Sequence, residues 1–279
     1  MAKKILKTVK PLDFVLIVTA FIWLIPLYCA VINSFKMNND IIKNPFSISI
    51  ADITMENYLT IIKSSSVNLF ELYKNSFLIT GVSVGLLIII CPLAAYYIAR
   101  TTSVRSQRVL TFFLLGMMIS QEVILIPLAG MYRDLDLIGK RVGLYLFYLG
   151  NNSSFSILLY SKFIKSTPVE LEESAHMDGA SRLRTFWSVI FPLLKPCTAT
   201  VIVFVGLNIW NDFLTPMVLL GNTKGTTITL GIYRAIGPYQ TDYGAVFTFV
   251  ILASLPILII FLSMQKRFIS GLTAGAIKG

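Results

Sequence analysis

Six long apolar segments follow one another along this chain, and most charged residues lie in the connections between them. The segments are Phe14–Ile32, Asn75–Ala99, Val109–Met131, Val142–Ser161, Cys197–Leu220 and Tyr243–Gln265. A helix needs about 20 predominantly apolar residues to cross a bilayer. The pattern therefore predicts an all-α membrane protein with six transmembrane helices and a single membrane domain over residues 1–279.

Polar residues interrupt three of these segments. Gln121 and Glu122 lie in the third, a patch from Asn151 to Ser154 lies in the fourth, and Asp212 lies in the fifth. Because an ionisable group inside a span is costly, Glu122 and Asp212 are candidate functional residues. A lipid-facing position for Glu122 is excluded on the same ground, which leaves a subunit interface or a cavity.

The composition agrees with a membrane protein, since 55% of the residues are hydrophobic and only 14% are charged. The net charge of +10 does not indicate a nucleic-acid partner, because the basic residues gather in alternate connections. Fifteen of the 24 Lys and Arg residues lie at the two ends of the chain and in the second-to-third and fourth-to-fifth connections. The positive-inside rule then predicts that both termini are cytoplasmic.

The basic N-terminus followed by an apolar run has the outline of a signal peptide. The run is too long for one, however, and no small-residue cleavage site follows it, so we expect a retained first helix. The three cysteines lie in or beside apolar segments and suggest neither a disulfide framework nor a metal site.

The connection between the fourth and fifth segments carries a strong local pattern. Thr167, Pro168 and Glu170 predict a capping box that begins a short helix. Gly179 is a natural left-handed residue for the end of that helix. A second helical piece containing Phe186 and Val189 is expected to run to Pro192, and Pro196 then begins the fifth span.

This connection resembles the EAA loop of the membrane subunits of ABC importers. The matching positions are Glu173, Ser174, Ala175, Asp178, Gly179, Ala180, Phe186, Val189, Pro192 and Pro196. The one departure is Ser174, which stands where the family has its central Ala. The resemblance implies that residues 166–192 form the coupling loop that docks on an ATP-hydrolysing subunit, with Glu173 as the docking anchor and Gly179 as the turn.

Further matches extend the resemblance over nearly the whole chain. They are Asn33 to Lys36, Glu56 to Tyr58, Asn75-Ser76, Ala95-Tyr96 with Arg100, Trp210 to Phe213 with Pro216, and the tail Gln265–Gly279. They are similar to the G-type membrane subunit of maltose-type oligosaccharide importers. The resemblance implies the type I ABC importer fold, with a family core at about residues 71–265 and a cytoplasmic tail at 265–279.

The implied function is that of a permease subunit in a bacterial-type cell membrane. Its expected partners are a second six-span permease subunit, two copies of an ABC ATPase, an external solute-binding protein and a carbohydrate. The chain is expected to bind no cofactor, because it has no P-loop motif; ATP and Mg²⁺ would be used by the partner ATPase. The sole histidine, His176, leaves no Ser-His-Asp set within the membrane, so we expect no enzyme activity.

Two segments keep alternative interpretations. In one interpretation the solute path is lined by Trp210, Asn211, Asp212 and Phe213. An indole can stack on a sugar ring, and Asn and Asp side chains can form hydrogen bonds with sugar hydroxyls. In the other interpretation Asp212 pairs with backbone or another helix and shapes a bend before Pro216. The outer loop Gly221–Asp242 is implied by the resemblance to reach the binding protein, or it is a simple solvated connection.

Other functions remain to be weighed against this one. A permease subunit for a different solute, such as a glycerol phosphoester, would carry the same loop. An ion-driven secondary carrier is less consistent with the sequence, because such a carrier would have inverted repeats and broken helices, and we find no such repeats.

Overall fold

The computed structural model describes residues 11–47, 53–63, 68–101, 103–221, 225–236 and 242–276. Within these ranges the regular secondary structure is helical throughout, so the all-α prediction is confirmed. The helices are α1 (Pro11–Ser34), α2 (Asn38–Lys43), α3 (Glu56–Lys63), α4 (Leu69–Arg100), α5 (Val104–Gly116), α6 (Gln121–Asp134), α7 (Arg141–Ser166), α8 (Glu170–Met177), α9 (Arg182–Thr185), a π-helical turn (Phe186–Ile190), α10 (Phe191–Leu193), α11 (Lys195–Asn211), α12 (Leu214–Leu220), α13 (Ile228–Ile236) and α14 (Tyr243–Ala276). The N-terminal lysines used for the orientation lie outside the described residues.

Among the described residues, three helices are long and apolar enough to cross a membrane. They are Asp13–Ser34 of α1, Leu69–Arg100 and Tyr243–Ser263 of α14. Two bent pairs raise the number to five if each pair is one span. The predicted span Val142–Ser161 lies inside α7, which has 26 residues but carries its polar patch in the middle.

The predicted third span, Val109–Met131, is not one straight helix. Helix α5 ends at Gly116, α6 begins at Gln121, and the two axes are bent by 97°. Ser120 is the N-cap residue of α6, and Glu122 lies in its first turn, where the helix dipole favours a negative charge. Glu122 therefore lies at a helix start and not in the middle of an apolar helix.

The predicted fifth span, Cys197–Leu220, is broken as well. Helix α11 ends at Asn211 and α12 begins at Leu214. At its other end, α11 is bent by 71° relative to the Arg182–Leu193 helix, and Pro196 lies in its first turn as expected.

The described structure divides into two compact units, and one of them comprises Met1–Leu69 and Ile232–Leu255. In this unit the end of α1 is held by side chains from α3 and α14. The Asn57 amide donates to the carbonyl oxygens of Ser34 (3.1 Å) and Lys36 (2.8 Å), and the Thr248 hydroxyl donates to the Ser34 carbonyl (3.1 Å). These bonds satisfy carbonyls that a helix end leaves without partners. Gly244 lies so close that an added Cβ would be 2.7 Å from the Asn57 amide nitrogen.

The other unit comprises Phe70–Gly231 and Pro256–Gly279. Its core is formed largely by α4, α7 and α11, with the fully buried Tyr148 and Tyr160 of α7 among its largest side chains. The polar patch of α7 is partly satisfied within the helix, since Asn152 donates to the Tyr148 carbonyl and Ser156 to the Asn152 carbonyl. This self-satisfaction lets a polar helix lie in the core.

Candidate functional site

The short helix α8 ends in a turn of the kind that the sequence predicts. Gly179 has φ +80°, a backbone conformation that suits glycine. Its N–H donates to the His176 carbonyl at 2.9 Å, and the Ala180 N–H donates to the Ala175 carbonyl at 2.9 Å. This pair of bonds is the Schellman motif, so the prediction that Gly179 ends the helix is confirmed.

The predicted capping box at the start of α8 is wrong. Thr167 is the C-cap residue of α7, and its hydroxyl donates back to the Phe163 carbonyl at 3.2 Å. Helix α8 begins three residues later, with Val169 at its N-cap and no side-chain cap. The reason is that α7 continues to Ser166, which leaves Thr167 to end that helix instead of beginning the next.

The predicted docking residues lie mostly on an open surface. Glu173, Ser174, Asp178 and Gly179 are exposed, and Ala175 and Ala180 are partly exposed. Met177 at the tip is 89% exposed, so its apolar side chain is available to contact another surface. The His176 ring donates from Nδ1 to the Ala180 carbonyl at 2.9 Å, so it reinforces the turn while remaining accessible.

Glu172 differs from its neighbours, because it is buried. Its carboxylate accepts from Arg100 Nε at 2.6 Å and from the Tyr96 hydroxyl at 2.7 Å. The Arg100 Nη2 donates to the Thr167 carbonyl at 2.9 Å. We call these four residues the 96–172 clamp. The sequence pattern does not single out Glu172, and only the resemblance of Tyr96 and Arg100 to family positions points to this place.

The second helical piece of the loop is continuous and packs on the same end of α4. It runs from Arg182 through the π-helical turn to Leu193, as expected. Phe186 is buried and its ring centroid is 5.3 Å from that of Tyr96. Trp187 and Phe191 extend this aromatic cluster, so apolar packing fixes the piece that follows Gly179.

Asp212 is the C-cap residue of α11, and its side chain also reaches the next helix. Its Oδ1 accepts from the Thr215 N–H in the first turn of α12 at 3.1 Å, which satisfies a donor that a helix start leaves without a partner. Its Oδ2 accepts from the buried Tyr148 hydroxyl at 3.1 Å, and its carbonyl accepts from the Thr229 hydroxyl at 2.9 Å. Asp212 thus holds a helix break through hydrogen bonds to α7 and α13. This arrangement agrees with the interpretation in which Asp212 pairs with another helix and shapes a bend before Pro216.

The same break also borders an open recess of about 510 Å³. Its lining combines amide, carboxylate and aromatic side chains from Gln121, Phe204, Leu207, Asn208, Asn211, Asp212, Phe213 and Leu214. Gln121, at the start of α6, accepts from Asn151 of α7 at 3.1 Å. The break between α5 and α6 and the break between α11 and α12 therefore meet at one polar recess.

Three of the four residues proposed for the solute path lie at this recess, and Trp210 does not. Trp210 is 2% exposed and packs edge-to-face against Phe77, with the ring centroids 4.9 Å apart. Asn208 and Asn211 lie three residues apart, hence on one face of α11, and both are exposed. The sequence analysis missed Asn208, although that spacing of two amides in an apolar helix was a usable signal.

Part of the Gly221–Asp242 loop is anchored to the second turn of α4, which Arg141 of α7 supports in turn. The Asn75 amide donates to the Thr226 carbonyl at 3.2 Å, and the Ser76 hydroxyl accepts from the Ile228 N–H at 2.8 Å. Arg141 donates to the Asn75 amide oxygen at 2.5 Å. Residues 222–224 and 237–241 of the loop lie outside the described residues. In the tail, α14 continues to Ala276, and residues 277–279 lie outside the described residues.

The sequence profile of one known family matches residues 88–273, and that family is described as "Binding-protein-dependent transport system inner membrane component". The matched range includes the 96–172 clamp, all of the 166–192 loop and the recess. It covers more than half of the chain.

Two relatives match the chain over almost its whole length. The chain is 31% identical over 96% of both chains to "Probable starch degradation products transport system permease protein AmyC" of Thermoanaerobacterium thermosulfurigenes. It is 36% identical, over 91% of this chain and 92% of the relative, to "Multiple sugar-binding transport system permease protein MsmG" of Streptococcus mutans.

A solved structure shows the same fold. It is a chain of a bacterial ABC transporter involved in the import of the acidic polysaccharide alginate, with a TM-score of 0.79 and 21% identity over 91% of this chain and 94% of that one. The family profile, the two relatives and the solved structure agree with one another. The chain belongs to the family of binding-protein-dependent transport system inner membrane components and has the type I ABC importer permease fold.

Proposed function

We propose that this chain is the membrane-spanning subunit of an ATP-driven importer for a sugar or oligosaccharide. The observation that carries the proposal is the 166–192 loop, in which an exposed capped helix with Glu173 at its surface is tied to the end of a membrane-spanning helix. This geometry suits the transfer of motion from a docked ATPase to the spans. The sugar permeases among its relatives support a carbohydrate as the solute.

The docking surface comprises Glu173, Ser174, Ala175, Asp178, Gly179 and Ala180. Its rigidity comes from the Schellman turn and from His176, so that a force applied to Glu173 is not absorbed within the helix. The exposed Met177 would supply apolar contact area to the ATPase cleft. ATP and Mg²⁺ would bind the ATPase and not this chain.

The assembly that we propose contains this chain, a second permease subunit of the same type, two copies of the ATPase and an external solute-binding protein. Both termini and the 166–192 loop would then lie on the cytoplasmic side of the cell membrane. The basic residues at the end of α4, in the first turns of α5 and in α9 support that orientation.

The recess at Asn208, Asn211, Asp212 and Phe213 is our candidate for part of the solute path. Its volume of about 510 Å³ lies in the range of sites for small molecules. Amide side chains can both donate to and accept from sugar hydroxyls, and Phe213 offers an apolar face for a sugar ring. Trp210 would support the wall from behind through its contact with Phe77.

The test begins with mild-detergent purification of the tagged chain from its own host and identification of stoichiometric partners. Recovery with a second permease-type subunit and a P-loop ATPase is the expected result. The complex is then reconstituted in liposomes with its binding protein, and uptake of radiolabelled maltotriose, melibiose, raffinose and glycerophosphocholine is compared. ATP-dependent uptake of a sugar supports the proposal.

Two outcomes would contradict the proposal at different levels. Uptake of glycerophosphocholine without sugar uptake would keep the importer and replace its solute class. Recovery of the chain alone, with transport driven by an ion gradient and independent of ATP, would replace the importer by a secondary carrier.

A further inference from the structure

The 96–172 clamp is the feature that the proposed function leaves unexplained. Among the described residues, the other ion pairs join neighbours along one stretch of chain, Lys74 with Glu71 and Lys140 with Asp136. The Arg100–Glu172 pair joins residues 72 positions apart, and its side chains are only 17% and 8% exposed. Among the ion pairs of the described residues, Arg100–Glu172 is therefore the one that links two separate helices.

The geometry of the clamp uses the shape of the arginine side chain. Nε donates to Glu172 Oε1, while Nη2 donates to the Thr167 carbonyl. A lysine has one nitrogen and could not reproduce this fork. Tyr96 lies one helical turn before Arg100 and donates to the other carboxylate oxygen. Two turns of α4 therefore hold the end of α7 and the beginning of α8 together.

Apart from the clamp, few buried side chains hold helix α8 in place. Glu172 is its single buried residue, and its apolar residues Leu171 and Met177 are 42% and 89% exposed. A helix with so little apolar packing would otherwise move independently of the spans. Buried ion pairs contribute modestly to net stability compared with apolar packing, whereas their directional bonds can define one arrangement.

We propose that Arg100, Glu172 and Tyr96 are positioning residues that transmit displacement of α8 to α4, and that Arg100–Glu172 thereby determines how much solute moves per ATP hydrolysed. The inference rests on the proposed function, in which an ATPase moves α8. It assigns the transmission to a largely buried ion pair beside the docking surface, separate from the exposed residues proposed to dock on the ATPase.

The test uses the complete complex in liposomes with its loaded binding protein. Uptake of the radiolabelled sugar that gave the strongest signal in the screen above is divided by the ATP hydrolysed in the same preparation. Glu172→Gln should lower this ratio about tenfold, since it removes the charge that faces Arg100. Arg100→Lys and Tyr96→Phe should each lower it about threefold, because one or more of the clamp contacts persist.

Glu71→Gln is the matched control, because it removes the carboxylate of an exposed ion pair on the same helix and should leave the ratio unchanged. If Glu172→Gln does not assemble, the two milder variants provide the test. A wild-type ratio in assembled complexes of all the clamp variants would overturn the inference and leave the clamp with a role in stability alone. A wild-type complex whose ATP hydrolysis does not respond to loaded binding protein would instead overturn the proposed function.

Discussion

The 166–192 loop and the Asn211–Phe213 break both interrupt the run of spans, but they are held in opposite ways. In the loop, α8 is capped by its own backbone and is tied to the membrane helices through the buried Glu172. At the break, Asp212 is bonded to Tyr148, Thr215 and Thr229 from three different helices. The loop is therefore suited to moving as a unit. The break is suited to staying in place and keeping the recess beside it open.

We expect the largest effect from a substitution that disrupts the Gly179 turn of the loop and leaves the rest of the fold intact. Gly179→Pro cannot keep φ +80°, because proline fixes φ near −65°, so the Schellman turn should be lost. Uptake by the reconstituted complex should fall to background while the chain still inserts in the membrane. Gly85→Ala, a helical glycine with open space for a Cβ, is the control and should transport normally. Normal uptake by Gly179→Pro would mean that the loop does not couple.

The second effect concerns the centre of the break. Asp212→Ala leaves the Tyr148 hydroxyl and the Thr215 N–H without their acceptor in a buried place, which costs about 2–4 kcal/mol. Thermal unfolding of the detergent-solubilised complex should show the loss. Unchanged unfolding together with an altered solute preference would contradict the structural role of Asp212.

A third test compares a residue behind the recess with a residue that lines it. Trp210→Ala removes a side chain that is 2% exposed and should destabilise the chain by about 3–5 kcal/mol. Asn208→Ala, which changes an exposed residue at the recess, should leave unfolding unchanged and weaken the apparent affinity for solute. The comparison is made by unfolding and by the concentration dependence of uptake. Equal destabilisation by both variants would mean that the recess is only a packing defect.

The smallest effect is expected at the one position where the loop departs from the family pattern. Ser174→Ala restores the Ala of that pattern at an exposed site, so stability should change by less than about 0.5 kcal/mol. Uptake per ATP should equal that of the wild-type protein. A clear gain or loss in that ratio would indicate that the Ser174 hydroxyl contacts the ATPase.

The same contrast explains what the sequence could predict. Gly179 was predictable because its conformation depends on two short-range hydrogen bonds, which span three and five residues. The capping box at Thr167 was wrong because the length of α7, and not the local pattern, decides which helix that residue ends. Hydropathy predicted the third and fifth segments as unbroken spans because it does not register the bends.

The long-range contacts could not be predicted from the sequence for a related reason. Arg100 and Glu172 are 72 residues apart, and Tyr148 and Asp212 are 64 apart. Each residue alone is compatible with several surroundings, and only the packing of α4, α7 and α11 brings the members of each pair together. The resemblance to known permeases identified several of these positions without indicating what they contact.

Helix α4 has a mechanical consequence that follows from its two ends. Its first turns hold the outer-loop segment through Asn75 and Ser76, and its last residue, Arg100, holds α8. At 1.5 Å per residue the distance from Asn75 to Arg100 is roughly 37 Å, which exceeds the ~30 Å hydrocarbon thickness of a bilayer. One helix is therefore held near its start by the Gly221–Asp242 loop and at its end by α8, so we expect a displacement of either contact to tilt or shift the whole helix.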